Sequence, residues 1–152
     1  MKLKKVLKGL FVLLVAFSFL HVFNVSALNP NIQVLYVGYC DLDGDEKFDD
    51  VYAEVYLRMW EGTNFLILEA SVIFHGDLLY SIYRDNHIRT ETEIVYKFYF
   101  INIAYESGMY IFKVWFEIVN GDQSAFLISI KPFDPPGGDP DYPPDGGLSP
   151  GP

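Results

Sequence analysis

The chain has 152 residues, of which 51% are hydrophobic, 17% aromatic and only 20% charged, a composition that excludes an intrinsically disordered protein and at this length points to one globular domain. Residues 1–27 hold Lys2, Lys4, Lys5 and Lys8 and none of the twenty acidic residues, so setting them aside turns the formal charge of −9 into seven cations against twenty anions, or −13. A surface of that sign repels phosphate backbones and anionic lipid heads and attracts metal cations and basic partners, which excludes nucleic-acid binding.

Met1–Gly9 is cationic, and Leu10–Val25 is an apolar run of sixteen residues broken only by Ser18, His21 and Asn24. Val25-Ser26-Ala27 then supplies a cleavage box. Because the run is shorter than the ~20 residues that span a hydrocarbon core, the pattern predicts a signal peptide over 1–27, cleaved after Ala27, and a secreted product that does not engage a membrane. Cys40 is the single cysteine, so no intramolecular disulfide is expected; its thiol reads as a small buried hydrophobe or as a bridge between two chains.

From Ile32 to Lys131 the dominant period is two, and Val, Ile, Tyr, Phe and Leu fill it, which predicts half-buried strands. Seven are expected, at 32–39, 50–60, 64–75, 78–84, 91–103, 109–119 and 123–131. Val51, Ala53, Val55, Leu57 and Met59 share one face of the second. Leu66 to Phe74, Ile94 to Phe100, Tyr110 to Ile118, and Phe126, Ile128 and Ile130 repeat the inward pattern. Turn residues separate the runs at Gly62-Thr63-Asn64, His75-Gly76-Asp77, Asp85-Asn86-His87, Glu106-Ser107-Gly108 and Asn120-Gly121-Asp122. Seven antiparallel strands in about a hundred residues predict an all-β, two-sheet sandwich over 28–133.

Glu106-Ser107-Gly108-Met109-Tyr110, leading into the alternation Ile111 to Val119, resembles the start of the sixth strand in immunoglobulin-like domains, including their PKD and fibronectin type III relatives. The resemblance implies a seven-stranded antiparallel immunoglobulin-like β-sandwich in which the Tyr110 hydroxyl folds back onto the preceding corner. Residues 134–152 follow with seven prolines and five glycines in nineteen positions, a composition that predicts a disordered tail.

The segment Asp41-Leu42-Asp43-Gly44-Asp45-Glu46-Lys47-Phe48-Asp49-Asp50 packs six carboxylates and one cation into ten residues. Like charges at that density call for a countercharge, and a hard cation that accepts six to eight oxygens in irregular geometry, Ca2+, suits them. Alternate positions Asp41, Asp43, Asp45 and Asp49 can converge in a curled loop, with the Lys47 carbonyl filling a further site. No His or Cys is placed to favour zinc or copper. These residues resemble the calcium loops of FG-GAP repeats in integrin-type propellers, and less closely those of dockerins and thrombospondin type 3 repeats: Asp41, Asp43, Gly44, Asp45 and Asp49 match, and Val51 opens the next strand. Glu46 departs, standing where those loops carry a glycine, at a position that needs a positive φ or a close backbone approach and costs a glutamate about 1 kcal/mol. The plain alternative is an acidic, solvated hairpin turn.

No catalytic set is present. His75 and His87 sit at turns without a nucleophile, and Glu91 and Glu93 share a strand face beside Arg89, so no enzyme is expected. Tyr52, Tyr56, Trp60, Phe65, Tyr99 and Trp115 fall on nominally outward positions, either as a contact surface or because some faces are covered. The function that follows is an exported, non-catalytic, calcium-binding module serving binding or structure at the cell exterior. Two other readings stay open: a carbohydrate-binding module that stacks sugars on the aromatic face, and a subunit of a surface assembly. The partners expected are accordingly an extracellular protein, a glycan or a second copy of the chain.

Overall fold

A residue type that is stiff at Cβ and repeats every second position fits a pleated sheet with one face covered. The computed structural model describes residues 29–134 and 145–150 and places a strand on every one of the seven runs. They are β1 (Asn31–Cys40), β2 (Asp50–Arg58), β3 (Asn64–Phe74), β4 (Asp77–Arg89), β5 (Glu93–Ile101), β6 (Tyr110–Asn120) and β7 (Gln123–Phe133), and an eighth, β8 (Asp145–Pro150), joins them. The strands form two four-stranded antiparallel sheets, ordered β1-β2-β5-β8 and β4-β3-β6-β7. No helix occurs among the described residues.

The sheets face each other through the inward rows. Val51, Ala53, Val55 and Leu57 of β2 and Tyr96, Phe98 and Phe100 of β5 are sealed from solvent, as are Leu66, Leu68, Ala70 and Val72 of β3 and Phe112, Val114, Phe116 and Ile118 of β6. Aromatic rings bridge the layers, Tyr96 meeting Phe116 at 5.3 Å between centroids and Phe98 meeting Phe112 at 5.8 Å. Two tight hairpins hold register within the second sheet. His75 and Gly76, both at positive φ (51° and 93°), close β3 onto β4, and Gly121-Asp122 closes β6 onto β7 between paired Asn120 and Gln123.

The corner expected from the resemblance at Tyr110 is present. Its ring is 1% exposed, its hydroxyl donates to Glu106 O at 3.0 Å, and the same oxygen accepts from Glu106 N at 3.1 Å.

Three expectations are corrected. The strand count is eight, because Asp145–Pro150, inside the segment expected to be a disordered tail, pairs with β5 from Tyr96↔Pro150 to Ile101↔Asp145. The fourth strand does not stop at residue 84: Asp85-Asn86 opposes the single residue Ile67 as a bulge, Asn86 takes φ 52°, and pairing resumes to Arg89. Phe126, Ile128 and Ile130 face solvent at 63%, 48% and 58% exposure rather than the core; β7 is an edge strand, and it turns Leu127 toward the core in their place. The expected signal peptide, residues 1–27, lies outside the described residues, as do 135–144 and 151–152 of the expected tail.

Candidate metal centre

The β1–β2 connection, residues 41–49, curls because Asp41, Asp43 and Asp45 capture backbone N–H groups of their own loop. Asp41 accepts from Gly44 N at 2.6 Å and from Glu46 N at 3.1 Å, Asp43 from Asp45 N at 3.2 Å, and Asp45 from Lys47 N at 2.9 Å. Gly44 and Glu46 both adopt positive φ, 82° and 69°, so the left-handed position expected at Glu46 is there. Asp50, the first residue of β2, gathers the loop: its carboxylate accepts from Leu42 N, from Asp43 N at 3.3 Å, and from Asn102 N at 2.8 Å.

The β5–β6 connection supplies the other wall. Ile103 N and Ala104 N both donate to Asp49 O, at 3.0 and 2.8 Å, and Asn102 Nδ2 donates to Asp43 Oδ2 at 3.4 Å. Asn102 is 4% exposed and sits at φ 55°, a conformation asparagine tolerates better than most residues.

Carboxylate oxygens of Asp41, Asp43 and Asp50 lie within 4.8 Å of one another. Beside this triad, Asp49 is fully buried and neither of its carboxylate oxygens has a hydrogen-bond partner among the described residues; Asn102 Oδ1 is likewise buried and unpartnered. Burial, together with the Asp45 and Asp50 carboxylates, pushes the Asp49 carboxyl above the usual range. An unpaired buried carboxylate near the Asp45 and Asp50 carboxylates is costly without a countercharge. The donor set is all oxygen, carboxylates plus one amide carbonyl, which fits a hard divalent cation.

The structure therefore regroups the expected ligands. Asp41 and Asp43 belong to the triad; Asp45 and Lys47 lie farther along the curl, with Lys47 Nζ 4.0 Å from Asp45 Oδ2; Asp49 is the buried orphan next to it. Asp50, which completes the triad, and Asn102, which donates to Asp50 and Asp43, were not among the residues expected there. Asp50 stands next to position 9 of the loop, where its acidity was visible and its orientation was not, and nothing local to residues 41–50 signals Asn102.

The aromatic set Tyr52, Tyr56, Trp60, Tyr99 and Trp115 does not form one surface. Tyr52, Tyr56 and Tyr99 lie on the outer face of the β1-β2-β5-β8 sheet, Trp115 on the outer face of the other sheet, and Trp60 packs partly against the core. Tyr52 meets Tyr99 at 5.3 Å and Tyr36 at 6.0 Å, in planes tilted by 36° and 43°. Cys40 is half-buried at the end of β1, and burial, with Asp50 and Asp41 nearby, raises its thiol above the ordinary value.

Compared with known protein families, curated proteins and solved structures, the chain gives no match.

Proposed function

We propose that the chain is an exported, non-catalytic, immunoglobulin-like β-sandwich module that serves binding or structure at the cell exterior, with a calcium ion bracing its first hairpin loop. The observation that carries this reading is the convergence of the Asp41, Asp43 and Asp50 carboxylates at a loop whose Asp49 carboxylate is buried and unpartnered. The immunoglobulin-like assignment is supported by the strand orders and by the Tyr110 corner, and export by the cationic start, apolar run and cleavage box of residues 1–27.

Asp41, Asp43, Asp50 and Asp49 would hold the ion, with Asn102 Oδ1 as a neutral ligand from the second loop. The ion would supply positive charge where the Asp41, Asp43 and Asp50 carboxylates converge. The chain's own groups do the rest: backbone N–H donors preset the carboxylates, and the hydrogen bonds from Ile103 and Ala104 to Asp49 fix the two loops against each other. The role is mechanical, since exported modules hold calcium at ~10⁻⁴ to 10⁻³ M and use it to stiffen loops.

Melting curves in millimolar calcium, in magnesium and in chelator test this at constant ionic strength. Calcium should raise stability by RT ln(1 + [Ca]/Kd), about 2.7 kcal/mol at a hundredfold excess, and magnesium, which keeps its waters and demands octahedral geometry, should do much less. Asp49→Asn should raise the midpoint in chelator, by removing a buried unpaired charge, and should abolish most of the calcium gain. Glu46→Gly should stabilise the loop by about 1 kcal/mol and tighten binding, because glycine adopts φ near 69° without a Cβ clash. Identical midpoints in all three solutions would leave the loop a solvated acidic turn.

A further inference from the structure

β7 is the edge of its sheet, hydrogen-bonded to β6 on one side and to no strand on the other. Such an edge exposes backbone donors and acceptors, and folded proteins ordinarily blunt it with charge, proline or a cover. Over residues 123–130 β7 has no charged residue and no proline, Lys131 and Pro132 following only near its end, and its outward row is Phe126, Ile128 and Ile130, each about half exposed. Lys131 turns the other way and donates from Nζ to Leu35 O at 3.2 Å, where β1, the edge strand of the facing sheet, packs against β7.

We propose that β7 pairs antiparallel with β7 of a second copy about a two-fold axis at Ile128, joining two four-stranded sheets into one of eight. The inference is independent of the calcium reading. Ile128 is the midpoint of the eleven-residue strand. Pairing about it sets Ile128 against its own copy and Phe126 against Ile130, so the apolar row is its own complement, as an isologous contact requires. The neighbouring strand extends the match: Phe126 lies beside Glu117 and Ile130 beside Lys113. Across the axis one row then runs Glu117, Phe126, and Ile130 and Lys113 of the second copy, with opposite charges at its ends.

The central row runs through Trp115, whose Nε1 donates to Glu69 at 3.1 Å and whose ring stacks on Phe126 with centroids 5.5 Å apart. Outward charges on this stretch of β3, β6 and β7 are Glu69 and Glu117 against Lys113. That near balance, in a chain otherwise strongly acidic, keeps repulsion between two copies weak at this face. The exposed row offers on the order of 300 Å² of apolar surface, about the largest a monomer ordinarily leaves bare. With the backbone edge it reaches the small end of specific interfaces, roughly 600 Å² a side, which fits a dimer with a micromolar dissociation constant.

Sedimentation velocity on the protein as its host processes it, in reductant and from low to high micromolar concentration, should show a concentration-dependent dimer. Ile128→Lys sets like charges against each other at the axis and should raise the dissociation constant by about tenfold or more. The melting midpoint of the monomer should stay unchanged, because Ile128 is 48% exposed. Phe126→Lys and Ile130→Glu should each weaken the dimer alone and form a mixed dimer when combined, since the register sets these positions opposite. A monomer at every concentration overturns the proposal and leaves the strip to a different protein. A dimer that dissociates in reductant, that Ile128→Lys leaves intact, or that the mixed pair fails to restore overturns pairing through β7.

Discussion

Tyr110 shows how one side chain fixes a crossing between layers. It opens β6, its ring stacks on Phe74 at 4.3 Å and lies 5.6 Å from Phe133, and its hydroxyl satisfies both the N–H and the C=O of Glu106. Burial pushes that hydroxyl's pKa above the ordinary phenol value, so the neutral donor persists across physiological pH. Tyr110→Phe keeps the ring and strips the corner of its partner, which should cost about 1 kcal/mol; denaturant unfolding at unchanged m-value checks it. His87 carries a pH dependence. Arg89 Nη2 donates to its Nε2, which holds the ring neutral, and burial, Arg89 and Arg84 lower its pKa below 6.5 while Glu91 opposes them. Above pH 6.5 the ring is neutral both folded and unfolded, so it adds no slope. As pH falls below 6.5 the unfolded chain binds a proton that the folded chain does not, and stability drops. Between pH 7 and 5.5 the midpoint should therefore fall less in His87→Gln than in the parent, a difference read from paired melting curves.

At the scale of elements, β8 departs furthest from composition. Asp145-Gly-Gly-Leu-Ser-Pro150 has no alternation and poor strand propensity. What makes it a strand is the free edge of β5, with Leu148 packing against the core. Gly146 is required at that edge, because a Cβ there would lie 2.9 Å from Tyr99 O and 3.0 Å from Tyr80 Cε1. Deleting residues 145–152 should lower the midpoint by several degrees, by uncovering β5 and removing Leu148, and Gly146→Ala should lower it in the same direction; calorimetry on both reads the result. The bulge in β4 follows similar logic. Asp85-Asn86 is a strong turn signal, yet Phe65 and Leu66 offer pairing partners on the far side, so the chain bulges and the strand continues.

Across the whole molecule, two sheets cover one apolar core, and the densest acidic segment, residues 41–50, lies where the β1–β2 and β5–β6 connections meet. The sequence by itself determined seven of the eight strands, most of the inward rows and the hairpins at 75–76 and 121–122, because each rests on period-two alternation or turn chemistry that acts within a few residues, whereas the Tyr110 corner and the positive φ at Glu46 were expected from resemblances to known corners and loops. It also marked residues 41–50 as the densest charge in the chain. Tertiary structure alone decided which carboxylates converge, since Asp50 enters the cluster through hydrogen bonds from Leu42 and Asn102, and Asn102 stands 52 residues away along the chain. It also decided which rows face out: alternation says that two faces differ but not which one meets a second sheet, so Phe126, Ile128 and Ile130 read as core until β7 is found at an edge. It divided the aromatic positions between opposite faces for the same reason, and made a strand of β8, because a ladder partner is supplied by another strand and cannot be read from the segment that joins it.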